Sequence, residues 1–333
     1  MGGLRWGLRW GLRRGLRCGL VTLFLAGPAT QAEPLLRFVA LGDQPYGRDV
    51  STGPAYRHLI GLINAEQPPF SIHVGDLKDG LTECSDELYA QQYAHFNRFD
   101  TALIYTPGDN DWTDCQRQHA DPLERLHALR QRFFAGPQSM GARPIRLQRQ
   151  PELMPAFGAY RENQRWWHQG VLFVTLHTVG PNDNAMDESS ALMNEHRSRE
   201  AANVAWVRSA FDEAKQKSAR AIVFATQADV FRSDKLWLTP AVVRQGFRGL
   251  VNATLLPMTA ACGLPVLFVH GDGHRYKTDR PFVDANGRRI DNLWRLEVPG
   301  ESQMHAVLVT IDPSAAQPFG FKLIWNRMSP DPR

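Results

Sequence analysis

The chain has 333 residues, 43% of them hydrophobic and 22% charged, which excludes a disordered or fibrous protein and provides enough apolar surface for a sizeable core. Its formal charge of +4 is concentrated at the start: Arg5, Arg9, Arg13, Arg14 and Arg17 stand among residues 1–32 with no acid, and removing these five takes the charge to −1. No sequence-wide signal for nucleic acid remains, since that would need a basic face on the mature chain.

The arginines precede a short apolar run, Cys18 to Gly27, followed by Pro28 and Ala29-Thr30-Gln31-Ala32. This is the pattern of a signal peptide over residues 1–32, cleaved after Ala32, with residues 33–333 as a single domain. The run is shorter than the roughly 20 residues that span a bilayer, so no permanent membrane span is expected and the location is periplasmic or secreted. Arg13-Arg14 would suit a twin-arginine route, whose consensus the flanks fit poorly.

Six apolar runs then read as buried strands: Leu36–Leu41, Phe70–Val74, Ala102–Thr106, Val171–Thr178, Ala221–Thr226 and Pro265–His270. Continuous runs of this kind suit a sheet covered on both faces. Helical patterns lie between them. At Asp121-Pro122-Leu123-Glu124, Asp serves as N-cap, Pro takes the first helical position and Glu completes a capping box, with Leu123, Leu126, Leu129 and Phe133 on one face. Residues 136–167 carry Pro and Gly without a clean period and read as an insertion or long loop ending in a strand. A second helix is expected from about Glu195 to Lys217, with Val204, Val207, Phe211 and Ala214 buried, and a third from Pro240 to Ala261. The tail from Ile290 to Trp325 reads as further strands forming a second sheet. The expected class is α/β, a four-layer helix–sheet–sheet–helix sandwich with right-handed crossovers.

Beyond the leader stand Cys84, Cys115 and Cys262, none with zinc-finger spacing. An oxidising compartment permits one bridge among them. Cys84 lies beyond the loop after Asp76 and Cys115 beyond the loop after Asp109, at strand ends expected to be neighbours, which makes them the natural pair and Cys262 a buried thiol.

The residues just beyond the strand ends carry the chemistry: Gly42-Asp43, Gly75-Asp76, Gly108-Asp109, Gln227 and Gly271-Asp272-Gly273-His274. Gly-Asp by itself is an ordinary turn dipeptide. Its recurrence after successive apolar strands points to one shared site, because ligands of open α/β sheets bind beyond the carboxyl ends of the strands. His73 and His270 fit either satisfied core histidines or neighbours of that site. His177 and the loop Gly180-Pro181-Asn182-Asp183-Asn184 end another strand, so His177 and Asn182 read as substrate contacts or as part of a polar turn. Trp112 could wall the pocket, whereas Trp166 and Trp167 read as core or sheet-face residues.

The order Asp43, Asp76, Gly108-Asp109-Asn110-Asp111, Gln227, Gly271-Asp272-x-His274 resembles the five-block signature of calcineurin-like metallophosphoesterases, relatives of the purple acid phosphatases. The resemblance spans Leu36 to His274. It implies one metal on Asp43, a bridging Asp76 and His274, and a second on Asp76, Asp109, Gln227 and Asp272. Asn110, Asp111 and His270 fall at or beside the family's catalytic positions. Several places depart from the family pattern. Pro45 stands where many members have a histidine, Asp79 stands where purple acid phosphatases have a tyrosine, and Asn110 replaces a proton-donating histidine. The donor set is shifted toward oxygen, so the two divalent cations implied would be Mn²⁺ or Mg²⁺ first, with Ca²⁺ or Fe admissible and Zn²⁺ less favoured. The implied activity is hydrolysis of a phosphate mono- or diester, either a phosphorylated small molecule or a phosphodiester. The substituted blocks also fit a degenerate member that binds a metal or ligand without turnover. A third reading, surface adhesion, explains none of the aligned acids.

Overall fold

A computed structural model describes residues 1–4, 6, 7, 35–47, 49–185, 191–231 and 242–329. The described residues from Leu35 onward belong to one compact unit. The expected leader and its cleavage point lie almost wholly outside the described residues. Among the described residues, no helix is long and apolar enough to cross a membrane.

In chain order the elements are β1 (Leu36–Leu41), α1 (Asp49–Glu66), β2 (Phe70–His73), α2 (Asp86–Phe96), β3 (Ala102–Tyr105), α3 (Pro122–Phe133), β4 (Gln148–Arg149), α4 (Gln150–Leu153), β5 (Gln164–His168) and β6 (Val171–Thr175). They continue with α5 (Ala191–Gln216), β7 (Ala221–Ala225), α6 (Leu256–Cys262), β8 (Val266–His270), β9 (Lys277–Asp279), β10 (Leu293–Glu297), β11 (Ala306–Ile311) and β12 (Phe319–Ile324). The strands build a five-stranded sheet, β12-β11-β1-β2-β3, and a seven-stranded sheet, β4-β5-β6-β7-β8-β10-β9.

Period-two alternation explains why these runs are apolar throughout. Phe38 and Ala40 of β1 face the other sheet, where they share a core with Phe70, Phe173, Val223 and Leu267. Val39 and Leu41 of the same strand face outward and pack with Leu59, Ile63, Phe96, Leu129 and Phe133 of the helices. On the seven-stranded sheet, Leu172, Val174, Ile222 and Phe224 face Trp206, Val207 and Phe211 of α5. The outcome is four layers, helix–sheet–sheet–helix.

Three expectations are corrected. The six apolar runs do not share one sheet with the tail as another. They divide three and three, and the tail divides too, with β10 pairing parallel to β8 while β11 pairs antiparallel to β1. Both sheets are covered on both faces, so apolarity cannot tell their strands apart. The third helix is also much shorter than expected. Pro240 lies outside the described residues, Val243 bridges Phe231, and Gly246 approaches so closely that a Cβ there would meet Asn182 O at 2.1 Å. A 3-10 turn at Gln245–Phe247 comes first, and continuous winding begins only with a π turn over Val251–Leu255, just ahead of Pro257, which continues into α6. Finally, Asp121 does cap α3 through Leu123 N at 2.9 Å, but Glu124 does not close the box. Its carboxylate instead takes two charge-assisted bonds from Arg125 at 2.5 and 2.6 Å.

Cys84 and Cys115 are bonded, with Cα atoms 5.7 Å apart and a separation of 31 in sequence, while the free Cys262 is only partly buried. The bridge joins the segment after β2 to the turn after β3, the two connections that carry Asp76 and Asp109. Replacing both cysteines with alanine is expected to lower stability by about 3 to 4 kcal/mol on the chain-entropy model. Urea unfolding of wild type and double variant without reductant checks this, and coincident midpoints would refute it.

Candidate metal centre

Each strand ends in a tight turn. Asp43, Asp76, Asp272 and His274 have φ of 53°, 57°, 67° and 60°, a left-handed region that side chains other than glycine seldom adopt. Such conformations persist where the surroundings over-determine them, and they gather at functional sites. Glycines let the turns close. A Cβ on Gly108 would lie 2.0 Å from Asp76 Oδ1, one on Gly271 2.1 Å from Asp43 Oδ2, and one on Gly300 2.3 Å from Asp43 Cβ. The acids occupy space that a side chain at those positions would fill.

Asp43, Asp76 and His274 bring one ligand atom each to within 4.8 Å of one another. His274 Nε2 lies 3.6 Å from Asp43 Oδ1. Two carboxylate oxygens and an imidazole nitrogen form a donor set for a divalent cation. Asp43 is fully buried and its Oδ2 has no hydrogen-bond partner, an arrangement that is costly for a carboxylate unless a cation compensates it. These residues therefore fit a cation.

Two further residues complete the arrangement, and the sequence reading missed both. Tyr46 Oη donates to Asp76 Oδ2 at 2.9 Å and lies 3.3 Å from His274 Nε2. Glu301 Oε2 is hydrogen-bonded to His274 Nδ1 at 3.1 Å, which orients the ring so that Nε2 faces the acids. Glu301 had a weaker signal: Gly300-Glu301 follows a strand as Gly-Asp does elsewhere, but Arg295 and Glu297 interrupt its apolar pattern. Tyr46 had none, because its reach to Asp76 depends on how the β1 loop lies over the β2 loop.

Burial pushes Asp43, Asp76 and Asp109 well above the ordinary carboxylate range, and the acids' mutual repulsion adds to it. A cation would reverse that balance. Asp111, expected near the chemistry, instead organises the loops. Its Oδ1 accepts from Leu77 N at 2.7 Å, and its Oδ2 from Gly108 N at 2.7 Å, Asp76 N at 3.0 Å and Tyr105 Oη at 2.6 Å. Asn110 likewise positions Asp76, through its backbone N to Oδ1 at 3.1 Å and its Nδ2 to Oδ2 at 2.9 Å.

The other expected residues are engaged elsewhere. Gln227 Nε2 donates to Asp76 Oδ2 at 3.1 Å and to Asp109 Oδ1 at 2.8 Å. Asp272 donates its backbone N to Asp43 Oδ1 at 2.9 Å, and its carboxylate caps Asp229 N at 3.1 Å. Asp79 accepts from Gly47 N, Leu81 N, Thr82 N and Thr82 Oγ1 at 2.8–2.9 Å, a local turn rather than a ligand position. His177 is fully buried between Glu162, 2.8 Å from Nδ1, and Trp112, whose Nε1 donates to Nε2 at 3.1 Å. It is a strut, not a substrate contact, and Trp112 is its anchor. Asn182 spends its amide on Gly246 N and Ala185 O. His270 Nδ1 bonds Gly271 O at 2.8 Å, and its Nε2 is buried without a partner.

No protein-family model matches the chain, and no curated protein does. Solved structures do. GAP50, the anchor in the inner membrane complex of Plasmodium, aligns with a TM-score of 0.53 at 11% identity over 89% of this chain and 86% of its own. PhoD aligns at 0.53 and 11% identity over 84% of this chain and 64% of its own. A purple acid phosphatase from yellow lupin (Lupinus luteus) seeds aligns at 0.51 and 11% identity over 88% and 54%. The chain thus has the calcineurin-like metallophosphoesterase fold.

Two outcomes are expected. Asp111→Asn should lower stability by about 3 kcal/mol, because an amide cannot accept on both sides and leaves at least one buried N–H facing another donor; a urea midpoint within error of wild type would refute this. His73 packs on Phe96, with Nε2 bonded to Gln44 O at 2.9 Å and Nδ1 accepting from Gly75 N at 3.3 Å, and burial lowers its pKa from 6.5 to about 4. The unfolded chain therefore takes up this proton first. His73 should cost stability as pH falls from 6.5 to 4, by at most about 3 kcal/mol. His73→Gln keeps a donor for Gln44 O and should flatten the profile relative to wild type over that window. Parallel profiles would count against the assignment.

Proposed function

We propose that this chain is an exported metal-dependent phosphoesterase that hydrolyses a phosphate mono- or diester. The observation that carries the reading is the convergence of Asp43, Asp76 and His274 at strand ends of a metallophosphoesterase fold. A cation held there supplies Lewis-acid stabilisation of charge on phosphoryl oxygens and a more acidic water. The chain's own residues do the rest. Glu301 orients His274, Asn110 holds Asp76, and Tyr46 presents a hydroxyl between Asp76 and His274. Oxygen donors predominate, which favours Mn²⁺ or Mg²⁺, then Ca²⁺ or Fe, over Zn²⁺. The Cys84–Cys115 bond and the leader pattern support a periplasmic or secreted location.

A second reading, a binding module without turnover, is favoured by Asn110. Its amide cannot act as a general acid at neutral pH, and its hydrogens are committed to Asp76 and Tyr46. An aryl phosphate and an aryl phosphodiester, assayed with each metal after chelation, separate the two. Turnover restored by Mn²⁺ or Mg²⁺ is expected. Asp76→Asn and His274→Ala should each lower kcat/KM at least about a hundredfold, roughly 3 kcal/mol of transition-state stabilisation. Metal binding without turnover of either ester would establish the binding module instead.

A further inference from the structure

We propose that this centre is built for one cation, the side-chain amide of Gln227 standing where a second would be held. The inference rests on the metal-dependent reading above and deepens it. The direction of the amide is decided by chemistry. Its Oε1 lies 2.8 Å from the backbone nitrogen of Gly180, and a peptide N–H can only donate, so the oxygen faces Gly180 and the NH₂ faces the opposite way. There both hydrogens are used, one toward Asp76 Oδ2 at 3.1 Å and one toward Asp109 Oδ1 at 2.8 Å. The group linking these two carboxylates is therefore a neutral donor already satisfied on both sides.

Gln227 has little freedom to rearrange. It is fully buried, and a Cβ on Gly75 or Gly108 would come within 2.9 or 2.6 Å of its aliphatic carbons. Turning the amide to offer oxygen to a cation would set NH₂ against the Gly180 N–H and leave a buried donor unpaired. Asp272 adds to the case, since its carboxylate caps Asp229 N and a Cβ on Gly180 would lie 2.6 Å from its Oδ1. Of the four donors expected for a second ion, one offers hydrogens and another closes a turn. Among the His, Cys, Asp and Glu side chains of the described residues, Asp43, Asp76 and His274 are the one group of three that gathers closely enough to hold an ion. Asp109 then acts through Gln227 as a positioning residue that keeps the amide directed at Asp76.

The test is a count. Purified mature protein is equilibrated with excess Mn²⁺ and desalted, its metal content is measured by mass spectrometry, and its electron paramagnetic resonance spectrum is recorded. One Mn²⁺ per chain with the resolved hyperfine pattern of an isolated ion is expected. Two per chain with an exchange-coupled spectrum would overturn this inference and leave the proposed function standing, whereas no retained metal would overturn the metal centre itself. Gln227→Glu is nearly isosteric, keeps an oxygen for Gly180 N–H and turns the bridging donor into an acceptor beside Asp76 and Asp109. It should raise the count from one to two and give a larger Mn²⁺-dependent rise in Tm than wild type. A folded variant that still holds one ion would show that the amide does not set the number. Should that variant not fold, Gln227→His puts the same question with a nitrogen donor, and the wild-type count stands by itself.

Discussion

The carboxylate of Asp111 is the interaction on which the centre depends. It receives three backbone N–H groups and one phenol, and the donors come from the β2 loop, the β3 loop and the β3 strand itself. Hydrogen bonds to an ionised acceptor contribute more than neutral ones, and their loss inside a core leaves several donors unsatisfied at once. Asp76 can hold its left-handed backbone because Asp111 fixes the peptides on either side of it. Tyr89 Oη in turn donates to the backbone oxygen of Asp111 at 2.6 Å, so α2 braces the same residue. An acid at this place serves geometry first, and whatever chemistry occurs at Asp76 inherits that geometry.

The second constraint is the stacking of the sheets. Asp43, Asp76 and Asp109 end strands of the five-stranded sheet, whereas Gln227, Asp272 and His274 end strands of the seven-stranded one and Glu301 comes after β10. Several contacts of the centre cross between them: Asp272 N to Asp43, Gln227 to Asp76 and Asp109, and His274 beside Asp43. The aromatic core between the layers, with Phe173 packed edge-on against Phe38 at 5.4 Å and Phe70 at 4.9 Å, sets the spacing that brings these ends together. Crowded, buried acids raise one another's pKa, and the structure answers that repulsion in three ways. A cation fits at Asp43, Asp76 and His274, an amide lies between Asp76 and Asp109, and backbone donors surround Asp111.

The sequence by itself determined which residues could take part and where the chain turns. Gly-acid after an apolar run is a local pattern, and so are the Asp121 cap, the alternation that buries both faces of a strand and the placement of Cys84 and Cys115 beyond neighbouring strand ends. Residues drawn from local patterns, Asp43, Asp76 and His274 among them, are the ones the fold brings together. Tertiary structure alone decided the partners. Apolar periodicity reports burial and not which neighbour does the burying, so it could not divide the strands between two sheets or send β10 and β11 to different ones. Hydrogen-bond direction is decided over longer range still. Gly180 and Gln227 are 47 residues apart, and their single bond turns a residue read as an oxygen ligand into a donor. His177 becomes a strut because Glu162 and Trp112 reach it from other elements, and Tyr46 enters the site because one loop lies over another. Composition names the groups that can donate or accept, but which of them face each other depends on the packing of segments far apart in the chain.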